Sequence, residues 1–143
     1  MIRRNYNFFY TFRVRYSEID AQGIVFNAHY LTYFDCAITE YFREIRYNYF
    51  QEVKKKNKDF HVIKTVINYK QVILADQIID AGVKVSKIGK TSITFDISLF
   101  SNKKNMMLAN GQIVQVYTDQ VTKKSTLLEK KFILKIKRFE KIT

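Results

Sequence analysis

The chain has 143 residues, of which 47% are hydrophobic and 15% aromatic, with a formal net charge of +12 at pH 7 and a single cysteine, Cys36. This composition excludes a disordered chain, a disulfide framework and a CxxC metal site, and the length suffices to bury a core without such supports. No apolar run is long enough to span a membrane and no leader peptide is recognisable, so we expect a single domain over 1–143 in the cytoplasm.

The first predicted elements are a strand and a long helix. Apolar and polar residues alternate over 8–16, FFYTFRVRY, which predicts a half-buried strand with an inward face of Phe8, Tyr10, Phe12, Val14 and Tyr16. From about residue 28 the apolar period becomes three or four residues, which predicts a helix of about twenty residues. Its apolar stripe consists of Leu31, Phe34, Ile38, Phe42, Ile45 and Tyr49. The run KKKNK at 54–58 is predicted to follow it as an exposed loop.

Four strands and a short helix are predicted next. The strands cover residues 61–70, 77–87, 91–100 and 106–118, with turns at 88–90 and 102–105 and a bulge at Gly111. In the first of them, Ile63, Thr65, Ile67 and Tyr69 are predicted to share one face. The short helix at 129–140 places Phe132, Ile136 and Phe139 on one face. Strands in consecutive hairpins with one large helix predict an α+β domain, an antiparallel sheet of about five strands packed on that helix.

The positive charge is uneven along the chain. Residues 123–143 carry eight Lys and Arg residues against two Glu, which accounts for half of the net charge. A solvated face is the favoured interpretation, and a patch that attracts anionic ligands such as phosphates is the alternative. No nucleic-acid partner is expected, because the sequence contains neither a nucleic-acid motif nor a basic stripe interleaved with aromatic residues.

Asp20 lies where the first strand gives way to the long helix. Gly23 follows it and permits a close backbone approach or a positive φ. The helix begins near Asn27, and free N–H groups at a helix start carry partial positive charge that stabilises an oxyanion. A carboxylate facing such donors suits acyl hydrolysis, which needs a nucleophile or base and donors for the carbonyl oxygen. The alternative is that Asp20 only organises the turn or caps the helix.

At this point the sequence resembles a known family. The stretch RVRYSEIDAQGIVFNAHYLTYFDCAITEYFR is similar to the signature of the 4-hydroxybenzoyl-CoA thioesterase family of hotdog-fold proteins, and closest to its acyl-CoA thioesterase branch, which includes the Tol–Pal-associated enzymes. The pattern is R-x-x-Y at a strand end, then D-x-x-G-(I/V)-V-(F/Y/W), then a tyrosine four residues later. It is filled by Arg13, Tyr16, Asp20, Gly23, Ile24, Val25, Phe26 and Tyr30. The resemblance covers most of the chain and thins out after about residue 120.

The resemblance implies a hotdog fold, in which the sheet wraps around the long helix, and an enzyme that hydrolyses acyl-CoA to a free acid and CoA without a metal or other cofactor. Asp20 is implied as nucleophile or general base, and the backbone N–H of Asn27 as the group that polarises the thioester carbonyl. Implied substrate-binding residues are Tyr16, Gly23, His29, Tyr30, Lys90, Ser92 and, as a weaker match, Lys124. For the lysines, a solvated turn is an equally good interpretation.

The family also implies assembly, because its members act as homodimers, often paired into homotetramers, with active sites at the dimer interface. Acyl carrier protein remains open as the carrier of the acyl group in place of CoA. The rival function is a hotdog protein that binds an acyl carrier or acyl-CoA without turnover.

One departure from the family concerns histidine. Many relatives carry a histidine where this chain has Asn27, and here a histidine appears two residues later, at His29. Asn27 still offers its backbone N–H. His29 either replaces the missing side chain or is a structural histidine, which we favour slightly. Glu18 could raise the pKa of Asp20 by charge repulsion, although a solvated loop glutamate is the favoured interpretation.

Overall fold

The computed structural model describes residues 2–143, whose backbone forms one five-stranded antiparallel sheet with helices packed against it. The strand order is β1-β3-β4-β5-β2, so β1 and β2 are the two edges. The predicted α+β class is confirmed. The elements in chain order are β1 (Phe9–Arg13), α1 (His29–Glu44), α2 (Tyr49–Lys56), β2 (Lys58–Tyr69), β3 (Ile78–Ile88), β4 (Ser92–Ser101), β5 (Met107–Asp119) and α3 (Lys130–Glu140).

The core lies between α1 and one face of the sheet. Alternate residues of β3 and β4, two of the three inner strands, face α1. All of them are less than 5% exposed, and burial of each Val, Ile, Leu or Phe side chain among them contributes on the order of 2 kcal/mol. These residues are Ile79, Ala81, Val83, Val85, Ile93, Phe95, Ile97 and Leu99.

The predicted helix of about twenty residues is in fact two helices. α1 ends at Glu44, and Arg46 then adopts a positive φ of 60°, a left-handed conformation that stops the helix. Tyr47 nevertheless stays buried, so the apolar stripe continues past the break. The prediction of a loop at 54–58 is also wrong, because these lysines form the last turn of α2 and the first residue of β2.

Two further strand predictions are corrected. β1 stops at Arg13, and Tyr16, predicted to point inward, is 91% exposed because the chain enters a 3-10 turn at Tyr16–Glu18. In β2 the register against β5 shifts between Val62 and Lys64. The extra residue at this bulge, Ile63, is therefore 63% exposed instead of facing the core.

Gly111 is not at a bulge. It pairs in register with Ile67 on one side and Ile97 on the other. A Cβ atom at this position would lie 1.9 Å from the carbonyl oxygen of Val66 and 2.9 Å from Cε2 of Phe34. The glycine is needed because a ring of α1 and the neighbouring strand both approach the backbone here.

The helix α3 occupies the predicted residues and covers one end of the core. Phe132 and Ile136 are buried, and the Phe132 ring packs on Phe42 and Tyr47 with centroid separations of 6.0 and 4.8 Å. No helix within residues 2–143 is long and apolar enough to cross a membrane.

Candidate active site

The turn that carries Asp20 is fixed by its own backbone. The N–H of Asp20 donates to the carbonyl of Ile24 at 2.9 Å, and the N–H of Gly23 donates to the carbonyl of Asp20 at 3.0 Å. Gly23 has φ +78°, which an L side chain rarely adopts. The carboxylate Oδ1 of Asp20 accepts the N–H of Gln22 at 2.8 Å, whereas Oδ2 has no protein partner among residues 2–143. One oxygen is therefore held in place and the other is available.

The start of α1 offers free backbone donors. Its first turn is closed by the N–H of His29, which donates to Phe26, and that of Tyr30, which donates to Asn27. Within the described chain, the N–H groups of Asn27 and Ala28 have no acceptor, and no side chain caps the helix. Such free N–H groups at a helix start attract a carbonyl oxygen on which negative charge develops.

Asp20 and Asn27 line the same cleft, which has a volume of about 390 Å³. Tyr30 also lines it, and the ring of Tyr69 packs edge-on against Tyr30 with centroids 4.8 Å apart. The Tyr69 hydroxyl donates to the carbonyl of Asn27 at 3.3 Å and so attaches the end of β2 to the helix start. The remaining lining residues are Gln22, Ile24, Val25, Lys70, Gln71 and Val72.

The second wall of the cleft comes from the segment after β2. The N–H of Val25 donates to the carbonyl of Ile73 at 2.8 Å, and Ile24 forms an isolated bridge with Leu74. These contacts bring Lys70, Gln71 and Val72 beside the Asp20 turn. Sequence analysis missed these three residues. The available signal was Tyr69, which was predicted to lie near the end of a strand, directly before these residues.

One carboxylate oxygen of Glu18 is hydrogen-bonded to groups other than Asp20. Its Oε1 accepts the backbone N–H of Arg15 and the hydroxyl of Tyr33, each at 2.8 Å. Burial, together with this hydrogen bond to a carboxylate, raises the pKa of Tyr33. Glu18 is therefore a half-buried residue that attaches the 3-10 turn to α1, and not a solvated loop residue.

The other predicted site residues are not all close to this cleft. Gly23 is in the Asp20 turn, and His29 begins α1 with its ring against Phe26, at a centroid separation of 6.0 Å. Tyr16 points into solvent. Neither His29 nor Tyr16 lines the cleft.

Three of the predicted substrate-binding residues lie at the opposite end of the sheet: Lys90, Ser92 and Lys124. Ser92 pairs with Val116 on β5, whereas Tyr69, at the cleft, pairs with Ala109. Seven positions along a strand correspond to about 24 Å. Lys90, in the turn before Ser92, and Lys124, after β5, lie at this same far end. A single chain therefore does not bring Lys90, Ser92 and Lys124 to Asp20.

A smaller groove of about 220 Å³ runs between α1 and the edge strand β2. Asp35 and Val62 line it, and so does Gln115, whose buried Oε1 has no hydrogen-bond partner within residues 2–143. Desolvation raises the pKa of Asp35 above its ordinary value. The groove thus combines apolar walls with a carboxyl and a free amide oxygen.

Comparison with known proteins identifies the family. A family model described as the thioesterase superfamily matches residues 22–107. The chain belongs to the thioesterase superfamily. The acyl-CoA thioesterase YbgC of Haemophilus influenzae is 28% identical over 106 residues, which cover 74% of this chain and 76% of that protein. The resemblance predicted from the sequence is confirmed.

Solved structures confirm the hotdog fold of this thioesterase-superfamily chain. SAV2348 from Staphylococcus aureus, solved in complex with CoA, has a TM-score of 0.85 at 12% identity and covers 94% of this chain and 84% of its own. Slr0204 from Synechocystis, a 1,4-dihydroxy-2-naphthoyl-CoA thioesterase, has a TM-score of 0.84 at 13% identity, with 90% and 94% covered. At these identities the likeness concerns the fold alone.

The superfamily match begins at residue 22 and so does not include Asp20. The catalytic role of Asp20 and the binding roles of the other predicted residues therefore remain predictions. The structure shows in addition that the N–H groups of Asn27 and Ala28 have no acceptor within residues 2–143, and that residues 70–72 form one wall of the cleft.

Proposed function

We propose that this chain, as one hotdog domain, hydrolyses an acyl-CoA thioester to a carboxylic acid and CoA in the cleft beside Asp20. The observation that carries the proposal is that Asp20, which has one available carboxylate oxygen, and Asn27, which has a free N–H at the start of α1, line one cleft. Superfamily membership, the acyl-CoA thioesterase relative and the CoA-bound structural neighbour support the substrate class.

In the proposed reaction the thioester carbonyl oxygen accepts the N–H of Asn27, which polarises the carbonyl. Asp20 then acts by one of two routes. As a nucleophile, its Oδ2 attacks the carbonyl carbon, the C–S bond breaks, CoA leaves as the thiolate, and water hydrolyses the resulting anhydride. As a general base, Asp20 takes a proton from the water that attacks the same carbon. Both routes consume one water and need no cofactor.

A homodimer would complete the site. β2 is one of the two edge strands of the sheet and is twelve residues long. Its residues Val62 and Ile63 are 48% and 63% exposed. Two copies that pair their β2 edges antiparallel place the far end of one sheet beside the Asp20 end of the other. Lys90 and Ser92 of each copy then approach the partner's cleft, where they can meet the phosphates of CoA.

The direct test is Asp20→Asn assayed on a panel of aromatic, short-chain and long-chain acyl-CoA thioesters by release of free thiol. We expect turnover to fall about 10²–10⁴-fold, or further if Asp20 is the nucleophile, with the fold intact by circular dichroism. Asp76→Asn, an exposed carboxylate outside the cleft, is the matched control and should keep parental turnover. A folded Asp20→Asn with parental turnover contradicts the assignment.

The two routes and the rival function are separated by further measurements. A single turnover in ¹⁸O-labelled water, with enzyme in excess, labels the Asp20 carboxylate if Asp20 is the nucleophile and water attacks its side-chain carbon in the anhydride, whereas the general-base route puts no label into Asp20. A parent protein that binds acyl-CoA by calorimetry but releases no thiol from any member of the panel, or from acyl carrier protein thioesters, supports binding without turnover.

A further inference from the structure

An exposed leucine on α3 is surrounded by cations. Leu134 is 60% exposed and lies on the side of the helix opposite the buried Phe132 and Ile136. Residues three and four positions away are its neighbours on the helix surface. All four of these neighbours are positively charged, and together with Leu134 we call them the α3 face: Lys130, Lys131, Lys137 and Arg138.

The charge of the α3 face is uncompensated within the chain. None of its four cations forms an ion pair with a carboxylate in residues 2–143. The only carboxylate of α3, Glu140, turns towards the sheet, where it accepts hydrogen bonds from Tyr41 and from the N–H of Val85. The outer surface of the helix therefore carries one sign of charge.

The positive surface continues into a cleft beside the α3 face. Arg46, Lys135, Arg138 and Lys141 line this cleft, which has a volume of about 650 Å³, and Glu44 is the carboxylate among its lining residues. The ammonium of Lys135 donates to the carbonyl of Arg46 at 3.1 Å and so connects α3 to the segment after α1. A concavity lined in this way is suited to a phosphate group.

We propose that the α3 face docks this protein on an anionic phospholipid membrane, with Leu134 at the apolar boundary and a lipid phosphate in the adjoining cleft. A convex ridge of cations around one leucine matches a plane of negative headgroups above an apolar layer. Each Lys or Arg near such a surface strengthens binding about fivefold.

A fluorescence experiment tests the docking directly. The chain contains no tryptophan, so Leu134→Trp introduces a single reporter on the α3 face. We expect its emission to shift to the blue with vesicles of phosphatidylcholine and phosphatidylglycerol, not with phosphatidylcholine alone, and the shift to weaken as salt screens the charges. Phe50→Trp, an exposed position on α2, is the control and should show no shift. Equal shifts at both positions, or with neutral vesicles, overturn the proposal.

Charge reversal supplies a second measurement in vesicle co-sedimentation. Lys131→Glu/Arg138→Glu should weaken binding to anionic vesicles about tenfold or more, and Leu134→Ser by about tenfold. Lys54→Glu/Lys55→Glu reverses two cations in the last turn of α2 and should leave more binding than the α3 pair. Equal losses in the two pairs overturn the proposal.

Competition experiments distinguish the other sources of anions. Full displacement from vesicles by inorganic phosphate at constant ionic strength would mean a site for a free phosphate, which contradicts membrane docking. Binding of polyglutamate or of a DNA duplex through Lys131 and Arg138, without binding to vesicles, would assign the surface to a macromolecule and also overturn the proposal. Vesicle binding that survives phosphate and is lost on reversal of the α3 pair supports it.

Discussion

Tyr41 of the central helix donates a hydrogen bond from its hydroxyl to Glu140 of the C-terminal helix at 2.6 Å. The same oxygen of Glu140 accepts the N–H of Val85 at 2.9 Å, beside the point where β3 shifts register against β4. Burial and the adjacent carboxylate both raise the pKa of Tyr41, so its hydroxyl keeps the proton that it donates. One carboxylate thus connects α1, β3 and α3.

Replacement of this carboxylate should loosen α3. We expect Glu140→Ala to lower the free energy of unfolding by about 2–3 kcal/mol, because it leaves a buried hydroxyl and the N–H of Val85 without their acceptor. Urea unfolding followed by circular dichroism measures the change. Glu44→Ala removes an exposed carboxylate at the end of α1 and should change stability by less than about 0.5 kcal/mol. Equal effects of the two substitutions would show that the Glu140 hydrogen bonds contribute nothing.

The ionisation of Asp80 should make the free energy of unfolding depend on pH. Burial opposes its ionisation, but hydrogen bonds from Thr11, the Lys103 N–H, Arg3 and Asn102 outweigh burial and lower its pKa from 3.8 to about 2. The resulting stability, about 2 kcal/mol, is fully present above pH 3.8 and is lost as the pH falls through 2. Asp80→Asn should therefore be less stable than the parent at neutral pH, and the two should converge near pH 2 in urea unfolding.

The control for this acid dependence is Asp76→Asn. Asp76 pairs with Arg13 at the surface, where its side chain is 82% exposed, and such pairs contribute little. Its difference from the parent should stay small at every pH. A constant offset for Asp80→Asn between neutral pH and pH 2 would contradict the role given to its ionisation.

Two glycines should respond differently to alanine. At Gly111 the new methyl group would meet backbone and a ring of α1, so we expect Gly111→Ala to cost about 3 kcal/mol or to prevent folding. At Gly23 no atom lies within 4 Å of the new Cβ, and only the positive φ opposes it, at a cost of about 1 kcal/mol. Thermal unfolding of both variants gives the order. Equal losses would contradict the close approach at Gly111.

The sequence predicts the sheet well because burial on one face imposes alternation. Ile79 to Val85 and Ile93 to Leu99 alternate without interruption, and the structure buries all the inward positions. No comparable sequence pattern marks the break in the helix after α1. Arg46 adopts its left-handed conformation without a glycine or proline to mark it, and Tyr47 continues the apolar stripe on the far side. Periodicity reports which side chains are buried, and it does not report where the backbone turns.

The candidate site is predictable only where its residues are close in sequence. Asp20, Gly23 and Asn27 belong to one short segment, so their spacing carries the signal. Lys70 and Val72 reach the same cleft through tertiary contacts, such as the hydrogen bond from Val25 to Ile73, and no local pattern distinguishes them from an ordinary loop.

The departure at Asn27 leads to a graded prediction. If the backbone N–H of Asn27 polarises the carbonyl, Asn27→Ala keeps that donor and should lower kcat much less than Asp20→Asn does. His29→Ala should also be mild, because the ring packs on Phe26 outside the lining of the cleft. Thiol-release kinetics on the best substrate of the panel measure both. A loss from either variant as large as that from Asp20→Asn would show that its side chain takes part in the chemistry.

The last prediction concerns assembly at the β2 edge. A twelve-residue edge strand that exposes Val62 and Ile63 presents unpaired backbone groups to another chain. If two copies join there antiparallel, Val62→Asp/Ile63→Asp sets like charges against each other across the two-fold axis and should give a folded monomer. The cleft of this monomer lacks the partner's Lys90, so the rate of thioester hydrolysis should fall when the dimer is lost. Val121→Asp, at a loop residue 76% exposed, should leave both unchanged. Sedimentation velocity at micromolar concentration measures the oligomeric state, and the thiol-release assay on the same samples measures turnover. A stable monomer with parental turnover would show that one chain holds the whole site.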